Sequence, residues 1–274
     1  MKSWCVRFRS MCSPASSALV LMVLTCALPQ PAASEWYVAG YGGANFPTAL
    51  TAVQMNQLGE TLDTQFFSGG QSTPPSGTYS QTLSSSDLKL KQSPLFGGRV
   101  GYFFADQGFS WLGAEFDVFT TTPTIKNQTV NTVHHITFNP FDPQSPPPGV
   151  NCILGVTCQI QQSIPGTVNV PESSMRLIAF TFNAVVRYPG KVFQPYAGVG
   201  GGAFYFSSSG AIRGHQVVPG LNAFGGMKML FFEDWGVFVE GRFNRATITN
   251  FDSAFGLSGE YSAFNVLAGL SYHY

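Results

Sequence analysis

The chain ends in Phe264-Asn265-Val266-Leu267-Ala268-Gly269-Leu270-Ser271-Tyr272-His273-Tyr274. Phe264, Val266, Ala268, Leu270, Tyr272 and Tyr274 alternate with Ala263, Asn265, Gly269, Ser271 and His273. Successive side chains of a strand point to opposite faces. The first set therefore makes an apolar face and the second a small or polar one. A membrane-crossing β-strand has this dyad over about 9–11 residues. After residue 34 no segment has the run of about eighteen apolar residues that a spanning helix needs.

Reading backward, the same alternation recurs seven times. Trp235, Val237, Val239 and Phe243 mark a strand at about 235–248, and Leu221, Ala223, Met227, Met229 and Phe231 one at about 218–232. A glycine-rich strand of uncertain phase is predicted at about 192–206. Ile178, Phe180, Phe182, Val186 and Tyr188 mark about 175–188. Leu112, Ala114, Phe116 and Val118 mark about 109–120; Phe96, Val100 and Tyr102 mark about 88–104; Glu35-Trp36-Tyr37-Val38 opens about 35–46. Eight strands are an even number, as a closed antiparallel barrel needs, and closure leaves no unpaired backbone groups facing hydrocarbon. The fold class expected is all-β, a closed antiparallel eight-stranded transmembrane barrel.

Composition agrees. Only 10% of the 274 residues are charged, with 14 Lys+Arg against 14 Asp+Glu, whereas a soluble domain is roughly a quarter charged. The balanced charge argues against a nucleic-acid partner. Lys2, Arg7 and Arg9, an apolar stretch from Ala18 to Leu28 and then Ala32-Ala33-Ser34 have the order of a secretory leader. Residues 1–34 are read as the leader and 35–274 as the barrel domain. Lipid attachment at Cys26 is the alternative. Cleavage would leave Cys152 and Cys158, an even pair that suits a disulfide in an exported protein. A two-cysteine metal site is the competing reading, but it lacks further ligands at suitable spacing.

The connections give a direction. Ala105-Asp106-Gln107-Gly108, Pro189-Gly190-Lys191 and Glu233-Asp234 are tight; those at about 47–87, 121–174, 207–217 and 249–260 are long. Short turns face the periplasm and long loops the outside, so both termini should be periplasmic. Trp36, Tyr102, Phe103, Trp111, Tyr188, Phe193, Trp235, Tyr272 and Tyr274 all fall at the short-turn ends, where an interfacial girdle belongs. A soluble β-sandwich would also alternate, but it explains neither the asymmetry of the turns nor the low charge.

These features resemble a known family. The opening Trp36-Tyr37-Val38-Ala39-Gly40, the stretch Phe96-Gly97-Gly98-Arg99-Val100-Gly101-Tyr102-Phe103, Pro195-Tyr196-Ala197-Gly198 and the terminal Tyr274 are similar to the small eight-stranded outer-membrane barrels, the OmpA-barrel, OmpX and opacity-protein group. The resemblance implies a Gram-negative outer membrane. It also implies that Tyr274, with Tyr272 and Leu270, is the signal read by the barrel-insertion machinery. The resemblance covers the barrel part alone, so no peptidoglycan-binding domain like that of full-length OmpA is expected.

A charge on the lipid face costs ~2–4 kcal/mol near the midplane. That sends Arg99, Glu115, Asp117, Arg187, Lys228, Glu240 and Arg242 inward, with Arg99 across from Gly113–Glu115 and Lys228 diagonal to Glu240. Eight strands enclose a space that side chains fill, so these groups are expected to form a compensated network that plugs the barrel. A narrow path for ions or small solutes is the alternative. Arg176 and Arg245 are expected at the outer interface, where lipopolysaccharide phosphates could accept their hydrogen bonds; solvated loop-edge arginines are the plainer reading.

Catalysis finds little support. Ser271 and His273 share a face, but at the periplasmic end and beside the terminal signal. His134 and His135 point to opposite faces of a strand, His215 is isolated, and the glycine run at 200–202 precedes no helix. No cofactor or metal is implied; a lipid-modifying enzyme is the remote alternative. In the first long loop, Leu50, Val53 and Leu58 suggest a short helix over 49–58, and Leu88 and Leu90 keep the lipid-facing phase of Phe96. In the second, the β-like parts 124–138 and 156–170 suggest a hairpin extending strands 3 and 4 outward; if both crossed the membrane there would be ten strands. Such a projection suits a surface ligand or cell contact, or simply a steric shield.

Overall fold

Alternating side chains give every strand two unlike faces, and a closed ring lets each face meet its own environment. The computed structural model describes residues 35–56, 77–140, 160–210, 212–231, 234–249, 251 and 256–274. The expected leader, Leu58, and Cys152 and Cys158 with the disulfide expected between them lie outside these residues. Thirteen strands belong to one antiparallel sheet. They are β1 (Glu35–Met55), β2 (Gly77–Ser85), β3 (Leu90–Lys91), β4 (Ser93–Phe104), β5 (Phe109–Thr121), β6 (Thr124–Ile125) and β7 (Gln128–Pro140). There follow β8 (Ile160–Val170), β9 (Ser173–Arg187), β10 (Phe193–Ser209), β11 (Gly214–Leu230), β12 (Trp235–Ile248) and β13 (Leu257–His273).

Eight of them form the wall, in the order β13-β12-β11-β10-β9-β5-β4-β1, and β1 pairs back to β13 from Tyr37↔His273 to Met55↔Leu257. This is a closed, antiparallel, eight-stranded barrel. Trp36 and Tyr274 exchange backbone hydrogen bonds at the seam, at 3.2 and 3.0 Å. The wall's outward face is an apolar belt: Phe182 is 71% exposed, Leu221 66% and Val199 63%. At the short-turn edge Trp36 packs on Tyr102 (5.0 Å between centroids) and Trp235 on Tyr272 (5.2 Å). The glycine-rich strand has a definite phase, with Ala197 and Val199 outward and Phe204 and Phe206 buried within.

Several local expectations need correction. Residues 49–55 are strand, not helix. Leu50 and Val53 are both inside because the β1–β13 register slips between Thr51 and Gln54, around Ala52 at φ 51°. That bulge gives the three-residue spacing which mimics a helical face. Leu88 and Leu90 are buried inside, not lipid-facing, since the alternation breaks at Gln92, where Lys91 and Gln92 are both exposed. A single-residue slip reverses every side chain beyond it. Phe103 leaves the girdle for the interior, at 2% exposure.

The second long loop does not simply prolong strands 3 and 4. β7 and β8 form a hairpin from Gln128↔Val170 to Phe138↔Ile160. Strand β2, from the first long loop, adds to β7 on the other side and touches β1 at Gln54↔Ser84. Only β6 continues the wall, pairing β3 and β9. The result is a three-stranded arm beyond the barrel's long-loop mouth, and the wall has eight strands rather than ten. None of the residues in β2, β7 and β8 is Asp, Glu, Lys or Arg.

Candidate functional site

The barrel's interior is stacked in layers. At the short-turn rim, Arg187 donates through Nη1 to Glu35 Oε1 (2.6 Å) and through Nη2 to Glu35 Oε2, and through Nε to the Ser110 carbonyl (3.0 Å). Its guanidinium lies 3.7 Å from the Phe103 ring centroid. Glu35 stands ahead of Trp36, outside the apolar belt. Burial alone would raise its carboxyl, but hydrogen bonds from Arg187 and His273, and their charge, hold it at about 2.

The middle of the barrel holds two linked clusters. Arg99 Nη1 donates to Glu240 Oε2 (2.7 Å) and Glu115 Oε2 (3.3 Å). Arg242 Nη2 is ion-paired with Asp117 Oδ2 at 2.6 Å and with Glu240 Oε1 at 2.9 Å. Neutral donors complete the carboxylates: Tyr37 Oη to Glu115 (2.6 Å), Tyr41 Oη to Asp117 (2.5 Å), Tyr196 Oη to Glu240 (2.8 Å) and Asn183 Nδ2 to Glu115 (3.1 Å). Glycines on β4 make room for two of these tyrosines. Tyr37 pairs with Gly101 and Tyr41 with Gly97, and a Cβ at either glycine would collide with the ring.

All seven charged residues expected inside are buried there. They carry four positive and three negative formal charges, and Glu35, read beforehand only as the start of a strand, supplies the fourth negative. Its signal was the parity of Trp36 and Val38: if those face out, Glu35, Tyr37 and Tyr41 face in. One position differs from expectation. Arg99 pairs in register with Asp117, and Glu115 lies opposite Gly101, because a register shift between Phe103 and Phe104 slides the hairpin. Lys228 pairs with Phe238 and is diagonal to Glu240 as expected, and its Nζ contacts His273 Nε2 at 3.1 Å.

Above the charges comes an amide layer. Asn45 Nδ2 donates to Asn265 Oδ1 (2.6 Å), and Asn222 Nδ2 to Thr181 Oγ1 (3.3 Å). The long-loop end is then closed by apolar side chains, among them Leu50, Leu88, Leu95, Leu177, Phe206 and Tyr261, each at most 2% exposed. Lower down, a cavity bordered by Arg99, Lys228 and Ser271 has about 10 Å³ of free space, room for about one water.

Ser271, His273 and Glu35 form a row. Ser271 Oγ is 3.2 Å from His273 Nε2, and His273 Nδ1 is 2.6 Å from Glu35 Oε1. These are the contacts of a hydrolytic triad. Here Lys228 Nζ lies against the same Nε2, so that nitrogen is shared with a second partner. The adjoining cavity has no room for an acyl group.

On the outer side, Arg245 Nη2 donates to Glu260 at 2.6 Å, and Arg176 faces outward on β9. His134 Nε2 meets Gln81 (2.7 Å) and His135 Nδ1 meets Ser163 (3.0 Å), on different neighbours. Among the described residues no cluster of His, Cys, Asp and Glu could hold a metal.

No protein-family model and no curated protein matches the chain. Among solved structures it is similar to the outer membrane protein OprG from Pseudomonas aeruginosa, with TM-score 0.44 and 12% identity over 88% of this chain and 96% of that one. It is also similar to Ail, the attachment invasion locus protein of Yersinia pestis (TM-score 0.36, 9% identity, 87% and 98% covered). Neisserial surface protein A gives TM-score 0.34 and 10% identity, with 87% and 96% covered.

Proposed function

We propose that this chain is an integral outer-membrane barrel without catalytic activity, whose interior is a plug and whose work is done at the cell surface. In this reading residues 1–34 direct export, both termini lie in the periplasm, the insertion machinery reads the terminal strand, and outer-membrane lipid surrounds the belt. The observation that carries it is the layered interior. Four basic and four acidic groups compensate one another, an amide layer follows, and packed apolar side chains fill the long-loop end. A solute path would need a continuous polar lumen, and the apolar layer is a barrier to ions.

The surface role falls to the β2–β7–β8 arm. It is a polar, uncharged sheet held on a rigid barrel, suited to contact with a surface ligand or another cell. The experiment has two parts. Refolded protein in planar bilayers should show no large stable openings; steady conductance would replace the plug with a channel. Deleting residues 128–170 spares β6, which pairs β3 and β9, so the barrel should still form. Cell binding should fall with that deletion, and unchanged binding would leave a structural role alone.

A further inference from the structure

Five lysines follow residue 34, and three of them, Lys89, Lys91 and Lys126, line one open groove of about 540 Å³. Of the other two, Lys191 is in a short turn and Lys228 is inside the barrel. The groove exists because the wall splits locally. The β1–β4 ladder stops at Asn45↔Ser93, and β1 next meets that side of the wall at the Leu50↔Leu88 bridge. In between, Pro47 has no N–H to give, and the register with β13 slips between Pro47 and Ala49.

The lysines are held in place by their backbones. The Lys126 N–H donates to the Lys89 carbonyl (3.0 Å), and Lys91 sits in the β3–β6 ladder opposite Thr124. Lys91 Nζ is ion-paired with Glu172 at 2.7 Å, an exposed pair. Among the described residues neither Lys89 nor Lys126 has an ion-pair partner. Three ammonium groups thus face one carboxylate. Directly beneath them Phe46, paired with Phe264, forms the top of the apolar belt.

Cationic donors immediately above a lipid-facing aromatic pair suit an amphiphile with an anionic head. We propose that this groove holds the phosphorylated headgroup of an outer-leaflet glycolipid, with Lys89 and Lys126 donating to phosphate oxygens and an acyl chain lying against Phe46. The assignment rests on the membrane reading above, with the long-loop end outward. It names a different place from Arg245, whose guanidinium is already taken by Glu260.

The test is native mass spectrometry of refolded full-length mature protein in detergent. The probes are bisphosphorylated lipid A and the same lipid with both phosphates removed. Wild type should retain the bisphosphorylated form and release the other. Lys89→Gln with Lys126→Gln should weaken retention by roughly tenfold or more, as expected for loss of two charge-assisted donors. Glu172→Gln, which frees Lys91, should strengthen it, and Lys191→Gln at the opposite rim should change nothing. Equal retention by wild type and the double variant overturns the site. Displacement by millimolar inorganic phosphate overturns the lipid assignment in favour of a free-anion site. Heat-modifiable gel migration in the same samples reports the barrel separately, so failure of the membrane reading would show as its loss in wild type.

Discussion

Glu35 and Arg187 meet at the short-turn rim through both carboxylate oxygens, although 152 positions separate them. The contact ties the first strand to the far wall. It also makes stability depend on acid in a definite direction. The Glu35 carboxyl is held at about 2, below the ordinary 4.5. A depressed carboxylate stabilises the fold fully above its unfolded pKa and loses that contribution as pH falls through the folded one. Unfolding free energy in urea, followed by tryptophan fluorescence, should therefore drop by roughly 3 kcal/mol between pH 5 and pH 2 on this account. In Glu35→Gln that part of the slope should be missing; an unchanged slope would assign the acid sensitivity to other carboxylates.

Gly101 has to remain small because the Tyr37 ring lies across it to reach Glu115. Gly101→Ala should destabilise the barrel by about 1–3 kcal/mol through forced displacement of that ring. At Gly98, where an added Cβ would meet nothing closer than a carbonyl at 3.4 Å, alanine should be nearly neutral. Denaturation midpoints of the two variants, measured side by side, check the contrast.

Much of this was legible in the sequence because membrane barrels obey one strong rule, that charge avoids the lipid face. The rule gives the phase of the charged wall strands and sends Arg99, Glu115, Asp117, Arg187, Lys228, Glu240 and Arg242 inward, while the glycine-rich strand, which carries no charge between 192 and 206, stays unphased. It fails where the wall leaves the membrane. Beyond Pro47 and before Ser93 apolar residues can face either way, so Leu50, Val53, Leu88 and Leu90 were misplaced. Pairing across the barrel was also hidden, since Arg99–Glu240 depends on closure and on the bulge near Phe104, which no local spacing encodes. The lysine groove was invisible for the same reason, because it is made by two strands parting.

The central carboxylates rely on two arginines. Arg242→Met would leave Asp117, Glu115 and Glu240 facing Arg99 alone, and breaking a buried pair by removing one partner typically costs about 3–5 kcal/mol. Adding Asp117→Asn lowers the uncompensated charge and should recover part of that loss. A double-mutant cycle on the unfolding free energies gives the coupling. Additive effects would mean that the 2.6 Å contact between Arg242 and Asp117 contributes little.

The apolar cap and the charged layer should fail independently. Leu177→Ala or Phe206→Ala removes buried side chains from the long-loop end and should cost roughly 3–5 kcal/mol each. Neither should produce conductance, because the amide and charge layers still fill the barrel below. Stable openings in either variant would show that the cap alone seals the interior.

Tyr274 joins two roles that can be separated. Its backbone exchanges hydrogen bonds with Trp36 at the seam, while its ring, 40% exposed, stacks near Tyr272 (6.3 Å between centroids). Removing residue 274 loses two seam hydrogen bonds of the many between β1 and β13, a modest fraction at about 1 kcal/mol each. Refolding into detergent should therefore proceed nearly as in wild type, with a slightly lower denaturation midpoint. Assembly in cells should fall much further, because the terminal aromatic is what the insertion machinery is proposed to read. Pulse-labelling with heat-modifiable migration as the readout compares the two directly. Parallel losses in detergent and in cells would make Tyr274 a seam residue and remove its role as a signal.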